Sequence, residues 1–163
     1  NLDEKQSLTE NLNILKRLFK KITFTPHFKP VGDGKNVIKM PTTYGHPVFL
    51  NEMIDKVKLD TQIESIKSTS LDQLVRDNNI NPKFIKIDVE GAEFGVLLGM
   101  SHVLEHYKPM IMIEKHPTLI PKNIEISQID NFLIKKGYKL ETEIFKDDIA
   151  ITEIWNNNNQ PAN

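Results

Sequence analysis

The spacing of apolar side chains along the chain predicts an alternation of helices and strands. Leu8, Leu12, Leu15 and Phe19 recur on one helical face and begin at a Ser7-Leu-Thr-Glu10 capping box, so a helix is predicted over residues 7–20. Similar patterns predict further helices from Ser70 to just before Asn78, from Glu90 through Tyr107 and from Ile126 to Gly137, with a short helix over residues 48–56. Runs rich in β-branched and aromatic residues predict strands over residues 22–28, 36–40, 63–67, 83–89, 109–114, 138–145 and 149–155.

This order of elements predicts an α/β fold. Strands that alternate with helices of about 10 to 15 residues are typical of a mainly parallel sheet with helices on both faces. The last two strands flank Lys146-Asp-Asp148, and we predict that they form a C-terminal antiparallel hairpin at the edge of the sheet. A chain of 163 residues suits one domain, predicted over residues 1–155, followed by a polar tail over residues 156–163.

The composition excludes several classes of function. The chain has 21 basic and 22 acidic side chains, so its charge does not favour a nucleic acid as partner. It contains no cysteine, which excludes disulfides, thiolate zinc sites and cysteine nucleophiles and fits a reducing compartment. No apolar run approaches the roughly 20 residues that span a bilayer, and no secretion signature is present. We therefore expect a cytoplasmic protein without a membrane partner.

Ionisable side chains follow two of the predicted strands at the point where each strand ends. Asp88, Glu90 and Glu93 follow the strand over 83–89, and Glu114 and His116 follow the strand over 109–114. Sequential strands commonly lie side by side, and functional groups collect beyond the carboxyl ends of parallel strands. We therefore predict that these groups converge. Such a cluster could bind a hard divalent cation or take a proton from a hydroxyl, and the sequence by itself assigns no metal ligand.

Each of these residues also has a purely structural interpretation. Glu90 and Glu93 could simply occupy the first turn of a helix, where the macrodipole favours negative charge. Lys86 could lie on a half-covered strand face with its ammonium in water, or it could pair with one of the acids. Asp33, within Gly32-Asp-Gly34, suits a turn. Asp88 is the stronger functional candidate because it ends a run that otherwise looks buried.

One helix carries a pattern that resembles a metal-binding motif. His102-Val-Leu-Glu-His106 matches the H-x-x-E-H pattern of some zinc proteases. At helical spacing these side chains point away from the apolar stripe, so we predict a solvent-exposed face, with a metallohydrolase as the alternative. The same predicted helix carries glycines at i, i+4 spacing, which we expect to allow its close approach to the sheet: Gly91, Gly95 and Gly99.

The ten residues around Asp88, Phe84-Ile-Lys-Ile-Asp-Val-Glu-Gly-Ala-Glu93, resemble the FkbM-type S-adenosylmethionine-dependent methyltransferases. Further matching segments occur in order along most of residues 7–155: Pro30-Val-Gly-Asp33, Ser70-Leu-Asp-Gln-Leu74, Leu97-Leu-Gly99, Pro109-Met-Ile-Met-Ile-Glu114, His116-Pro117, Phe132-Leu133 and Gly137-Tyr138. The resemblance implies a Rossmann-like class I methyltransferase sheet. It also implies transfer of a methyl group from S-adenosylmethionine to an oxygen, commonly a hydroxyl of a sugar or natural product.

The same resemblance implies roles for the residues at the strand ends. Asp88 would lie beside the cofactor or the reacting hydroxyl, and Glu114 or His116 would accept the proton or anchor the substrate. Gly32 and Asp33 stand where methyltransferases of this class often hold the adenine. The catalytic set implied in this way is Asp88, Glu114 and His116, and the cofactor-binding set is Gly32, Asp33, Asp88 and Glu90.

The sequence departs from the family at its beginning. Members begin with a strand, a glycine-rich turn, a helix and a second strand that ends in an acid, and no such segment precedes the first predicted helix here. In the family's strand order of 3-2-1-4-5-7-6, this removes a neighbour from the strand over 83–89. We therefore expect the C-terminal part of a methyltransferase whose N-terminal strands are missing from the sequence or come from another segment.

The resemblance and this departure from it leave two functions open. The first is an O-methyltransferase, or the catalytic-side part of one, that acts on a small-molecule or glycan acceptor. The alternative is a non-catalytic, methyltransferase-like interaction module that has lost cofactor binding. Binding of S-adenosylmethionine or S-adenosylhomocysteine separates the two.

Overall fold

The structure, a computed structural model, describes residues 2–27, 29–41 and 63–157. The helices are α1 (Leu2–Leu18), α2 (Leu71–Asp77), α3 (Glu93–Leu98), α4 (Ser101–His106) and α5 (Ile126–Lys135). The strands are β1 (Val31–Gly32), β2 (Val37–Pro41), β3 (Ile63–Lys67), β4 (Thr69–Ser70), β5 (Phe84–Asp88), β6 (Met110–Lys115), β7 (Lys139–Lys146) and β8 (Ile151–Asn156). The helix predicted over residues 48–56 lies outside the described residues.

The largest sheet has four strands in the order β5-β6-β8-β7. This is the order 4-5-7-6 that the family resemblance implied, and β7 and β8 form the predicted antiparallel hairpin. The expectation of a mainly parallel sheet is confirmed only in part. In this sheet β5 and β6 run parallel, whereas the hairpin inserts β8 beside β6, and both neighbours of β8 are antiparallel to it.

Two shorter ladders stand apart from this sheet. β1 pairs with β4 in parallel, with Val31 opposite Thr69, and β2 pairs with β3 in an antiparallel hairpin. The helix that follows β4 begins as the sequence predicted, because the Ser70 hydroxyl accepts a hydrogen bond from the Gln73 N–H at 3.1 Å. Because β1 pairs with β4 and β4 directly precedes α2, the loop that carries Gly32 and Asp33 lies beside the start of α2.

The single helix predicted from Glu90 through Tyr107 is two helices, α3 and α4, separated at Gly99 and Met100. Gly99 lies against the carbonyl of Gly32, where any Cβ would overlap that backbone. The Asp72 carboxylate accepts hydrogen bonds from the N–H groups of His102 and Val103 and so satisfies the first turn of α4. These contacts between segments distant in sequence end one helix and begin the next.

Two predictions near the N-terminus are wrong. The first helix begins at Leu2, so position 7 lies inside the helix and not at its N-terminus. Residues 22–27 form no strand. Pro26 has no N–H to contribute to a ladder, and no strand of the described residues pairs with this segment.

The core lies between one face of the four-stranded sheet and the helices α3, α4 and α5. Ile111, Ile113 and Trp155 project from the sheet into it, and they pack against buried residues of the helices, which include Leu97, Val103, Leu104, Ile129 and Leu133. Strand β7 is exposed along its whole length. No helix of the described residues has both the length and the apolar character that a membrane crossing requires.

The C-terminal boundary of the fold extends into the segment that we assigned to a polar tail. Asn156 is the last residue of β8, and Asn157 is buried with its side-chain amide donating to the Lys136 carbonyl at 3.3 Å. Residues 158–163 lie outside the described residues.

Candidate active site

The parallel pairing of β5 with β6 brings the two strand ends together. Asp88 and Glu114 are direct partners in the register, so their side chains leave the sheet on the same face. His116 follows two residues after Glu114. The predicted convergence is confirmed: one potential ligand atom from each of Asp88, Glu114 and His116 lies within 4.8 Å of the others.

The burial of the three groups increases from Asp88 to His116. The Asp88 side chain is 35% exposed and that of Glu114 is 28% exposed, whereas the His116 side chain is 6% exposed. The expectation that Asp88 ends an otherwise buried run is wrong, because β5 is an edge strand of the described sheet and Phe84 is also exposed. Carboxylate oxygens that water can reach therefore stand beside a buried imidazole.

The buried carboxylate of Glu93 forms a hydrogen bond with the His116 ring and fixes its orientation. Glu93 lies in the first turn of α3, as one of the two interpretations of the sequence had it, and its side chain is fully buried. Its Oε1 lies 2.9 Å from His116 Nδ1 and accepts a second hydrogen bond, also 2.9 Å long, from the Gly91 N–H. Sequence analysis counted Glu93 among the converging acids and did not include it in the site. Its partner is 23 residues away, and no local pattern indicates that pairing.

The surroundings of His116 shift its protonation. Burial of the ring opposes the charged form, but the hydrogen bond to Glu93 and the negative charges of Glu93, Glu90 and Glu114 outweigh burial and raise the pKa of His116. Nε2 lies 3.6 Å from Glu90 Oε2 and 3.7 Å from Glu114 Oε1. The ring thus bridges the buried Glu93 and the more exposed carboxylates.

Lys86 satisfies both interpretations that the sequence left open. Its side chain is 48% exposed, and its ammonium lies 2.8 Å from Asp88 Oδ2. The hydrogen bond to Asp88, that group's charge and the charge of Glu114 raise the pKa of Lys86. Lys86 therefore places a positive charge beside Asp88, at the exposed edge of the acidic cluster formed by Asp88, Glu114 and His116.

Gly32 and Asp33 lie at the end of β1, and Asp33 organises the turn after it. Its Oδ1 accepts hydrogen bonds from the N–H groups of Lys35 and Asn36, each 2.9 Å long, so the predicted turn chemistry is confirmed. Partial burial tends to raise the pKa of Asp33, but these hydrogen bonds and the nearby Lys35 charge outweigh it and lower the pKa.

A cavity of about 260 Å³ lies between this turn and the start of α3. One side of it carries the polar groups of Asp33, Asn36 and Ser68, and its walls are formed largely by apolar or small residues, among them Phe94, Leu98 and Ile124. Gly91 and Ala92, which also line the cavity, directly follow Glu90. The cavity therefore adjoins the turn that carries the acidic cluster.

Along the chain, Glu90 connects Asp88 at the end of β5 to Gly91 in the wall of the cavity. It has a positive φ of 51° and is followed by Gly91 at 98°, so the chain reverses sharply after β5. Gly91 packs against the backbone of Leu119, and a Cβ at this position would overlap that backbone. This close contact joins the two loops that follow β5 and β6.

The pair of histidines in α4 is exposed, as predicted. The rings of His102 and His106 stack with their centroids 3.9 Å apart, and His106 Nδ1 lies 3.0 Å from the His102 carbonyl oxygen. Glu105 pairs with Lys136 instead of completing a ligand set. Among the described residues, the cluster of three potential metal ligands is Asp88, Glu114 and His116, and the metallohydrolase alternative gains no support.

Comparisons with known proteins identify the family. The methyltransferase FkbM domain matches residues 30–140. A hexuronic acid methyltransferase, AglP of Haloferax volcanii, is 35% identical over 83 residues, which cover 50% of this chain and 31% of that protein. A crystal structure of a methyltransferase FkbM from Methylobacillus flagellatus is similar in fold, with a TM-score of 0.54 and 18% sequence identity.

The chain is shorter than both of these relatives. The structural match covers 90% of this chain and 33% of the Methylobacillus protein, so the chain spans about a third of the length of either relative. The matched family segment contains the turn at Asp33, the whole β5-β6 pair and the acidic cluster. The chain belongs to the methyltransferase FkbM domain family.

Proposed function

We propose that the natural protein is an S-adenosylmethionine-dependent O-methyltransferase and that this chain supplies the acid–base side of its active site. The observation that carries the proposal is the convergence of Asp88, Glu114 and His116 beyond the ends of two parallel strands. Membership of a methyltransferase family gives that cluster its reaction class. The adjoining cavity supplies room for a cofactor.

The cavity suits the nucleoside part of S-adenosylmethionine. Its apolar walls match the faces of an adenine ring, and Asp33, Asn36 and Ser68 offer hydrogen-bonding groups at one side. A Cβ added at Gly95, which lines the cavity, would meet no atom within 4 Å, so the space is open there. We propose that Gly32 and Asp33 contact the nucleoside and that Glu90 and Asp88 face the rest of the cofactor.

When bound, the cofactor supplies a methyl group on a positively charged sulfur. The chain's own task is to orient an acceptor hydroxyl and to remove its proton as the carbon–oxygen bond forms. Asp88 accepts a hydrogen bond from the hydroxyl and orients it. Because its raised pKa favours the protonated form of His116, we assign the proton to the Glu114 carboxylate, with the His116 ring as a nearby positive charge whose Nε2 lies 3.7 Å away.

The acceptor that we propose is a hydroxyl of a sugar or of a sugar-like natural product. The relative of known substrate class is a hexuronic acid methyltransferase, and the matched segment covers half of this chain. Lys86 at the edge of the cluster offers a positive charge to an acidic sugar. Hexuronic acids are therefore the first acceptors to test, beside neutral sugars of the same size.

Transfer of a labelled methyl group from S-adenosylmethionine to this panel tests the function. Glu114→Gln in the natural protein should lower kcat by about 100-fold or more, because it removes the proton acceptor and keeps the side-chain shape. Glu141→Gln, on the exposed strand β7, is the matched control and should leave kcat unchanged. Equal turnover in the Glu114 variant and the wild type would contradict the assignment.

Calorimetric titration with S-adenosylhomocysteine tests the cofactor cavity without turnover. Gly95→Leu should weaken binding at least tenfold, since its side chain would fill the cavity that the wild type leaves open. Absence of binding to the wild-type protein, together with absence of transfer, would favour the non-catalytic interaction module.

A further inference from the structure

One row of side chains runs straight across the four-stranded sheet at the level of the acidic cluster. Each member of the row is the direct register partner of the next: Asp88 on β5, Glu114 on β6, Thr152 on β8 and Phe145 on β7. Direct partners in a ladder project from the same face of a sheet. The two carboxylates of the candidate active site therefore share one face with a hydroxyl and an aromatic ring.

This face of the sheet points away from the core. Lys115 directly follows Glu114 on β6 and is buried on the core side, where its ammonium contacts Asp130 of α5. Because successive side chains of a strand alternate between the two faces, Glu114 and its row lie on the opposite face. The row is open at both ends, since the Asp88 side chain is 35% exposed and Phe145 is 52% exposed.

The row combines the two kinds of surface that bind a sugar. Carboxylates accept hydrogen bonds from the hydroxyls at the rim of a sugar ring. The negative face of an aromatic ring attracts the polarised C–H groups on the face of the sugar, and here Phe145 supplies that ring. The small side chain of Thr152 lies between these two surfaces, and half-buried Met112 and Ile154 add apolar area in the next row of the same face.

The spacing of the strands sets the size of the sugar that can contact both surfaces. Adjacent strands lie about 4.8 Å apart, so Phe145 is about 10 Å from Glu114 and about 14 Å from Asp88 along the row. A six-membered sugar ring, built of bonds about 1.5 Å long, is about 3 Å across. A ring whose hydroxyl is held at the carboxylates therefore cannot also stack on Phe145, whereas a further ring linked to it can.

We propose that Phe145 and Thr152 form a second acceptor subsite, which binds a sugar ring linked to the one that is methylated. The acceptor is then an oligosaccharide that lies across the strand ends, not a free monosaccharide. This inference rests on the proposed function, because it takes Asp88 and Glu114 as the groups that bind the reacting ring. Phe145 is a specificity-determining residue, since its stacking is present both before and during the reaction.

Binding of sugars in the absence of cofactor tests the subsite directly. The probes are galacturonic acid, which is a hexuronic acid, and its linked trimer, each titrated calorimetrically into the natural protein. We expect the trimer to bind at least tenfold more tightly than the monomer. Phe145→Leu should weaken binding of the trimer at least fivefold, because leucine keeps an apolar side chain and lacks the ring, whereas Phe145→Tyr should retain it. Neither variant should alter binding of the monomer.

Phe84→Leu is the matched control. Phe84 is also 52% exposed and lies on the same face of β5 as Asp88, but at the opposite end of the strand. This variant should bind both probes as the wild type does. In methyl transfer to the trimer, Phe145→Leu should raise KM at least fivefold and change kcat by less than twofold, since a contact common to the ground state and the transition state affects KM alone.

Three results would overturn the subsite. The first is equal binding of monomer and trimer by the wild-type protein, which includes binding of neither. The second is a gain for the trimer that Phe145→Leu retains. The third is a change of oligomeric state in Phe145→Leu, measured by sedimentation, which would assign this face to contact between two copies of the chain.

The outcomes for the subsite and for the proposed function are distinguishable. Methyl transfer to a sugar, together with equal binding of monomer and trimer, would leave the proposed function standing and overturn only the subsite. Tighter binding of the trimer that depends on Phe145, without methyl transfer to any acceptor, would support the subsite and contradict the proposed function.

Discussion

Asp33 shows how one side chain organises the loop beside the cofactor cavity. Its carboxylate receives two backbone N–H groups within its own turn and a contact from Ser68 across the neighbouring segment. Such bonds favour the ionised carboxylate over the protonated acid. The turn is therefore more stable with the charge in place, and the same charge stands at the polar side of the cavity.

This arrangement predicts how stability at Asp33 depends on pH. Because the pKa of Asp33 is lowered in the folded protein, its stabilising contribution is present above the unfolded value of 3.8 and is lost as pH falls through the lower folded value. Asp33→Asn should therefore reduce the free energy of unfolding at pH 7, and the difference from wild type should shrink in acid. Urea unfolding at several pH values measures both. A difference that stays constant with pH would show that charge plays no part.

At the level of elements, two glycines four residues apart have opposite roles: Gly95 lies inside α3, and Gly99 follows its last residue. Gly99 is in direct contact with the carbonyl of Gly32, and this contact lies at the break between α3 and α4. Gly95, one turn earlier, has open space where its Cβ would be. The repeated G-x-x-x-G pattern therefore contains one glycine that the packing requires and one that it does not.

Substitution of each glycine by alanine compares the two positions by their effect on the free energy of unfolding. Gly95→Ala should raise the free energy of unfolding by about 0.5–1 kcal/mol, because alanine restricts the unfolded chain and favours the helix. Gly99→Ala should lower it by about 2–3 kcal/mol, since the new methyl group would displace the Gly32 backbone. Chemical denaturation of both variants gives the comparison. Equal effects would contradict the close contact at Gly99.

For the whole molecule, a buried ion network connects the sheet to the helix between β6 and β7. The Lys115 ammonium, on β6, lies 2.7 Å from Glu153 on β8 and 2.9 Å from Asp130 on α5. The other Glu153 oxygen accepts a hydrogen bond from the Trp155 indole N–H at 2.7 Å. Lys115 and Glu153 are almost completely buried, so the charge of each is balanced mainly by the other.

Removal of one charged partner from this network should therefore lower the stability of the protein. Lys115→Met is expected to lower the free energy of unfolding by about 3–5 kcal/mol, because it leaves the Glu153 charge buried without a positive partner. Adding Glu153→Gln should restore much of that loss while keeping an oxygen for Trp155. Lys135→Met, at an exposed position of α5, is the control and should change stability by no more than about 0.5 kcal/mol. A small effect of Lys115→Met would contradict the network.

The sequence by itself determined most of the elements and the composition of the candidate site. The hydrophobic patterns predicted β2, β3, β5, β6, α2, α5 and the final hairpin, because periodicity and capping are local properties of the chain. The placement of Asp88, Glu114 and His116 at the ends of neighbouring strands followed from strand order alone. The one strand that failed, over residues 22–28, has no partner among the described residues.

The tertiary structure decided which of these groups are buried and what each one contacts. The Glu93–His116 pair, the exposure of Asp88 on an edge strand and the break at Gly99 all depend on residues far apart in sequence. The strand order β5-β6-β8-β7 followed from the family resemblance, but the pairing shows that both neighbours of β8 run antiparallel to it. Hydrophobic periodicity tells which face of an element is buried, but the partner on that face is set by packing across the whole chain.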